Sequence, residues 1–183
     1  KEQVVDLSKI KTGGTFLTNV VGSEKVFCKE LFSEEEKMIY EAIHDFAINE
    51  LLPLSQNELN KKDEKLIRKL VEQMGDLGFL GIDVPEKYGG SEMTKTGMCI
   101  LAEGISFCGS ASFCTVWNVQ TSIGSLGIIW YGNDEQKQKW LPGICSGEKI
   151  AAFGLTEPEA GSDIMSMKTN AKKDGKDWIL NGS

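Results

Sequence analysis

The longest stretch without a charged side chain constrains this chain more than any other feature. From Gly104 to Asn133, 30 residues pass without Asp, Glu, Lys or Arg. That length alone would allow a membrane span. Serine, threonine, asparagine and glutamine are nevertheless scattered through the stretch, and lipid offers no hydrogen-bond partners to amide side chains. The stretch therefore predicts a helix from about Ser110 to Trp130, apolar on most sides and buried at the centre of a helical bundle.

Two further segments repeat apolar residues with the period of a helix. With two more expected helices, they predict a mainly α-helical domain. Ser33 and Glu36 have the spacing of a capping box, and Asp63 suits the N-cap of the second helix. The four predicted helices run from about Ser33 to Pro53, from Asp63 to Gly78, from Thr94 to Phe107, and from Asn133 or Asp134 to Pro142.

The character of the sequence changes after Gly147. "KIAAFGLT" is apolar and predicts a strand, and Asp174-Gly175 between two extended runs predicts a hairpin. We therefore expect an irregular arm over residues 1–30 and an α-helical domain over 31–149. Residues 150–183 are expected to form the start of a β domain that is cut off at Ser183.

Charge and cysteine usage exclude several classes of function. The chain has 20 basic and 27 acidic residues, a net charge of -7, and no basic stripe of the kind that nucleic acids require. Its five cysteines form no C-x-x-C pair, and His44 is its only histidine. This pattern indicates a reducing compartment and no metal site. No signal peptide is visible, although a start at Lys1 leaves a removed targeting segment open.

"FGLTEPEAGSD", residues 153–163 and hereafter the ledge, follows the predicted strand. Residues that leave a strand retain backbone N–H groups that the sheet does not use. Pro158 stiffens the segment, Gly161 allows close approach to a ligand, and the Thr156 hydroxyl can donate and accept. The ledge therefore suits either ligand binding or a capped surface loop, and these residues alone do not identify a ligand.

"GLTEPEAGSDIMS", from Gly154 to Ser166, closely resembles the signature of the acyl-CoA dehydrogenase family. Four other segments resemble the same family in the same order: "GGTFL", "GFLGIDVPEKYGG", "YGNDEQKQKWLPGICSGEKIAAF" and "KDWILNGS". "GGTFL" is similar to the branch that includes very-long-chain members. The resemblance implies an N-terminal helical domain followed by the first strands of a truncated β-barrel middle domain, with a C-terminal four-helix bundle in complete members.

By the same resemblance, the ledge holds FAD. Main-chain groups near Leu155 and Thr156, together with the Thr156 hydroxyl, would meet the pyrimidine edge of the isoalloxazine ring. Phe153 and Gly154 belong to the same segment, and Phe153 stands where some members have Tyr. Gly161 and Ser162 would approach the FAD or the acyl-CoA, so that Ser162 counts as both a cofactor and a substrate candidate.

Gly124 and Gly127 lie three residues apart in the uncharged stretch, a spacing that puts them on one face of a continuous helix. Close helix packing is one interpretation. The other is a tunnel for a long acyl tail, because glycines at matching places in the long-chain branch are thought to deepen the acyl cavity. Gln120, one turn earlier, would then flank that tunnel.

The implied reaction is α,β-desaturation of an acyl-CoA thioester in fatty acid β-oxidation. The family's catalytic base is a glutamate in the C-terminal domain, which this chain does not match, so no catalytic residue is assigned here and Glu157 and Glu159 are not candidates. The 183 residues alone are expected to be inactive. An acyl-CoA oxidase or flavin monooxygenase on the same scaffold, and a helical interaction domain without catalysis, stay open.

The resemblance also implies partners and a location. The substrate would be an acyl-CoA and the electron acceptor an electron-transfer flavoprotein, while the complete protein would be a homodimer or homotetramer. We expect it in the bacterial cytoplasm or the mitochondrial matrix.

Overall fold

The computed structural model of the chain describes residues 28–54, residue 59 and residues 63–183. Most of the expected N-terminal arm, including "GGTFL", lies outside these residues. The helices are α1 Glu34–Phe46, α2 Glu64–Asp76, α3 Lys95–Ser106, α4 Ala111–Thr121, α5 Leu126–Tyr131 and α6 Asp134–Cys145. Two strands follow, β1 Asn170–Asp174 and β2 Asp177–Asn181. The mainly α-helical fold class is confirmed.

Side-chain caps fix where the helices begin. Ser33 and Glu36 form the expected capping box, with Ser33 Oγ accepting from the Glu36 N–H at 3.1 Å and Glu36 Oε2 accepting from the Ser33 N–H at 2.9 Å. Asp63 caps α2, Thr94 caps α3 and Asn133 caps α6. These polar side chains satisfy backbone N–H groups that a helix leaves unpaired in its first turn.

The main apolar core lies between α1, α2, α3 and α4. It includes the fully buried residues Ile43, Met74, Leu101 and Phe113. A second apolar cluster joins α6 to the loop before α3 and to the segment around Ala151. Because Ala151 lies two residues before Phe153, this second cluster supports the start of the ledge.

The uncharged stretch does not form the continuous buried helix that the sequence predicted. The chain leaves helical geometry at Ser122, whose φ and ψ are -126° and -105°, and α5 begins only at Leu126. Glycine and serine are weaker helix formers than alanine. In addition, the Thr121 hydroxyl donates to the Trp117 carbonyl at 3.0 Å, and such back-bonding often bends a helix.

Burial in this stretch is also one-sided. Phe113, Trp117 and Gln120 are buried, whereas Ile123 is 54% exposed and Trp130 is 64% exposed. The expectation of a helix buried on most sides was therefore wrong. The absence of charge indicated burial, but the buried positions recur every three to four residues, as on any helix with one buried face.

The predicted hairpin is present, and the predicted strand before it is not. β1 and β2 pair antiparallel from Asn170 opposite Asn181 to Asp174 opposite Asp177, and Gly175 has a positive φ of 59° in the turn. Residues 150–155 have no regular secondary structure and belong to no strand, since they have no ladder partner among the described residues. An apolar run alone cannot form a strand without a neighbour to pair with.

No helix in the described part of the chain is long and apolar enough to cross a membrane. Cys108 and Cys145 are buried and Cys114 is half-buried, as expected of cysteines that act as small apolar side chains. His44 packs between the rings of Tyr40 and Phe107, with centroids 4.1 and 5.1 Å away.

Candidate functional site

Gln120 binds the segment that leads into the ledge. Its side chain is completely buried on the last turn of α4. Nε2 donates to the carbonyl oxygens of Ile144 at 2.9 Å and Lys149 at 2.8 Å, and Oε1 accepts from the Ala151 N–H at 2.7 Å. One carboxamide therefore links α4, the end of α6 and the segment that leads into the ledge.

Gly124 contacts the same segment. A Cβ on Gly124 would lie 2.9 Å from the Ala151 Cβ, 3.1 Å from the Ala151 carbonyl carbon and 2.8 Å from the Val119 carbonyl oxygen. Two of these atoms are backbone, so no side chain fits there without displacing the chain. Gly124 thus allows the break between α4 and α5 to pack tightly on Ala151.

Gly127 has a different environment. It lies in α5, a Cβ there would meet nothing within 4 Å, and the residue lines an open cleft of about 310 Å³ together with Tyr131 and Trp140. Because the helix breaks at Ser122, Gly124 and Gly127 do not share one helix face. The structure thus brings Gln120 and Gly124 together at Ala151 and leaves Gly127 on a separate surface.

The first four residues of the ledge, Phe153 to Thr156, present an unpaired backbone. Among the described residues, neither their N–H groups nor their C=O groups have a hydrogen-bond partner. Phe153 is 55% exposed, Leu155 is 38% exposed, and a Cβ on Gly154 would meet no atom within 4 Å. This segment therefore offers a row of backbone donors and acceptors beside an accessible aromatic ring.

The middle of the ledge is a tight turn. The Glu157 N–H donates to the Ala160 carbonyl at 3.0 Å, and the Ala160 N–H donates back at 3.2 Å. The Glu157 carboxylate accepts from the backbone N–H groups of Lys168 at 2.8 Å and Thr169 at 3.1 Å. Hydrogen bonding by Thr169, followed by that of Lys168, lowers the pKa of Glu157. Glu157 therefore anchors the turn to the start of the hairpin.

The end of the ledge combines open space with a small cap. A Cβ on Gly161 would meet nothing within 4 Å, and Ser162 is exposed. Asp163 Oδ1 accepts from the Met165 N–H at 3.2 Å, and Oδ2 accepts from the Ser166 hydroxyl at 2.5 Å. Asp163 thus orders the chain after the ledge and leaves Gly161 and Ser162 accessible.

This arrangement suits a flat heterocycle with carbonyl and N–H groups along one edge. Free main-chain donors and acceptors at Leu155 and Thr156 match such an edge, and the Thr156 hydroxyl is exposed beside them. Gly154 and Gly161 have no Cβ to hold a ring away from the backbone.

Sequence reasoning missed two residues that organise the site. Ala151 has no functional group that would mark it in the sequence, although both Gln120 and Gly124 contact it. Glu157 was noted only as a carboxylate that is not a base, and its role as an anchor depends on Lys168 and Thr169, more than ten residues away. Contacts over such separations leave no mark in a local motif.

Comparisons with known proteins agree with the architecture. The sequence profile of the family "Acyl-CoA dehydrogenase, N-terminal domain" matches residues 33–148. A probable acyl-CoA dehydrogenase of Bacillus subtilis is 39% identical over 175 residues, which are 94% of this chain and 29% of that protein. Mitochondrial isovaleryl-CoA dehydrogenase of Pongo abelii is 36% identical over 152 residues, 82% of this chain and 36% of that protein.

A solved structure extends the similarity to three dimensions. The crystal structure of an acyl-CoA dehydrogenase from Bacillus anthracis, complexed with FAD, superposes with a TM-score of 0.79 at 40% identity. The match covers 93% of this chain and 29% of that one. The chain therefore spans about a third of the length of the relatives that it matches.

Proposed function

Because the chain belongs to the acyl-CoA dehydrogenase family through its N-terminal domain, we propose that the full-length protein is an FAD-dependent acyl-CoA dehydrogenase. By full-length protein we mean the gene product that contains these 183 residues. The proposed reaction is the α,β-desaturation of an acyl-CoA thioester in fatty acid β-oxidation. The observation that carries the proposal is the unpaired, accessible backbone of Phe153 to Thr156 at the position of the family signature.

The ledge fits the flavin ring in its donor set and in its shape. Main-chain groups of Leu155 and Thr156 and the Thr156 hydroxyl would hold the polar edge of the ring, with Phe153 beside it. Gly154 and Gly161 leave room for close approach, and Ser162 would contact the cofactor or the acyl-CoA. The bound flavin would supply the redox chemistry by accepting the hydride that leaves the β-carbon of the substrate.

On the substrate side, Gly127 would lie next to the acyl tail, because its cleft is open. Gly124 would act by letting the chain pack on Ala151, and Gln120 lies in the same contact. An electron-transfer flavoprotein would accept the electrons. We further propose a homodimer or homotetramer, in the bacterial cytoplasm or the mitochondrial matrix.

The first test is whether the purified full-length protein is yellow and absorbs light as bound flavin does. Flavin released by heat and identified as FAD, together with reduction of a dye acceptor by acyl-CoA, would support the proposal. Hydrogen peroxide production at the rate of substrate consumption in air would instead identify an acyl-CoA oxidase. A preparation that neither contains nor takes up flavin would contradict both enzymes and favour an interaction domain. The 183-residue chain alone should reduce no dye above the rate of free flavin.

A further inference from the structure

Among the described residues, one hydrogen bond holds the backbone of residues 150–156, which lead from the end of α6 into the turn of the ledge. Within residues 150–156, only the Ala151 N–H has a partner among the described residues, and that partner is Gln120 Oε1 at 2.7 Å. The residues on either side of this segment have other hydrogen bonds. Lys149 donates its N–H to the Gly143 carbonyl, and Glu157 pairs with Ala160. The segment in between therefore takes its position from Gln120.

Gln120 is itself fixed rigidly. Its side chain is 0% exposed, both hydrogens of Nε2 are used, and the two carbonyls that accept them, of Ile144 and Lys149, bracket the end of α6. A buried polar side chain with this many partners has one orientation that satisfies all of them. The carboxamide therefore transmits the position of α4 and α6 to Ala151.

We propose that Gln120 is the positioning residue of the flavin site, because it sets where Phe153 to Thr156 present their backbone to the ring. This inference rests on the proposed function, since it assigns the flavin to the ledge. Gln120 acts through Ala151 and need not touch the flavin. Gly124 completes the contact, because its missing side chain allows α4 and Ala151 to approach each other.

Two substitutions separate positioning from general stability. Gln120→Met keeps the length of the side chain and removes its donors and its acceptor for Ala151. Gln120→Glu places a carboxylate against two carbonyl oxygens, and burial and this repulsion raise the pKa of the introduced carboxyl group. When that group is protonated, it can again donate one hydrogen bond and accept one from Ala151. Gln138→Met is the matched control, because Gln138 is exposed on α6.

The first measurement is hydrogen exchange of the Ala151 amide. We expect it to be at least tenfold faster in Gln120→Met than in wild type or Gln138→Met.

The second measurement is FAD affinity of the full-length protein. We expect Gln120→Met to bind FAD at least tenfold more weakly at every pH. Gln120→Glu should bind FAD similarly weakly where the introduced group is ionised and recover toward wild type as the pH falls and that group is protonated.

Several outcomes would overturn the inference. Unchanged Ala151 exchange in Gln120→Met would contradict the hydrogen bond itself. Faster exchange with unchanged FAD affinity would show that the bond does not position the flavin site, while leaving the proposed function intact. If Gln120→Met does not fold, Gln120→Glu decides, because faster Ala151 exchange at a pH where FAD affinity equals that of wild type rules out positioning. A wild-type protein without flavin binding would overturn the proposed function and this inference together.

Discussion

Gly104 of α3 lies directly against the side chain of Ile43 in α1. A Cβ on Gly104 would come within 2.5 Å of Ile43 Cγ1 and 2.7 Å of Ile43 Cγ2, and Ile43 is completely buried. Replacing an interior helical glycine by alanine normally stabilises a helix by about 1 kcal/mol. Overpacking costs about 1–3 kcal/mol, and a buried β-branched side chain has no free end that could yield. We therefore expect Gly104→Ala to lower the free energy of unfolding.

Gly127→Ala is the matched control, because a Cβ there meets open space in α5. It should leave the free energy of unfolding unchanged or raise it by up to about 1 kcal/mol. Urea unfolding of both variants measures the difference. If Gly104→Ala is as stable as Gly127→Ala, the α1–α3 contact is looser than the structure indicates.

The Glu157 carboxylate makes the ledge sensitive to acid. Its pKa is lowered by hydrogen bonding from Thr169 and Lys168, so these bonds favour the ionised form in the folded protein. The stabilisation is fully present above the pKa of the carboxyl group in the unfolded chain, and it is lost as the pH falls through the lower folded-state pKa. As the pH falls below the ordinary pKa of a glutamic acid and through the lower value in the folded protein, the turn should separate from the start of the hairpin.

Chemical shifts of the Thr169 and Lys168 amides during an acid titration measure this release. Glu157→Gln should abolish the titration of both amides, because a neutral side chain has no proton to gain in this range. Glu148→Gln, at an exposed position before the ledge, is the control and should keep the titration of both amides. Amide shifts in wild type that do not respond to acid would contradict the anchoring role.

Thr156→Val in the full-length protein tests the polar edge of the proposed flavin site. Valine is similar in size to threonine and lacks the hydroxyl. Loss of one hydrogen bond to the ring should cost about 0.5–1.5 kcal/mol, which is a twofold to twelvefold increase in the Kd for FAD. Thr115→Val, exposed on α4, should have no such effect. Unchanged FAD affinity and unchanged flavin redox potential in Thr156→Val would show that this hydroxyl does not contact the ring.

The sequence predicted well those features that depend on neighbouring residues. Ser33 with Glu36 and Asp63 cap helices as expected, because a cap needs only a polar side chain and the next turn of backbone. Thr94 and Asn133 cap helices that begin where the sequence predicted. The hairpin at Gly175 was predicted for the same reason.

Features that depend on distant partners were predicted poorly. The uncharged stretch indicated a continuous helix, yet its break at Ser122 is accommodated by Gly124 packing on Ala151, 27 residues further along the chain. The ledge could be located from its motif. Its attachment through Gln120 could not, because a glutamine carries no signal for which backbone groups it will bind.

Chain-length selectivity is tested best at Gly127. Gly124 is unsuitable, because a larger residue would collide with Ala151 and disturb every substrate alike. Gly127→Leu instead extends into an open cleft of about 310 Å³, where its Cβ meets no atom within 4 Å. If that cleft receives the distal end of a long acyl tail in the full-length protein, kcat/KM should fall at least tenfold for long-chain acyl-CoA and stay near wild type for short-chain acyl-CoA. One methylene group more or less in an apolar pocket changes kcat/KM by roughly 10- to 200-fold, so a tenfold loss is the expected minimum. Gln136→Leu, at another residue that lines the cleft, should shift selectivity in the same direction. An equal loss on short and long substrates would exclude the tunnel.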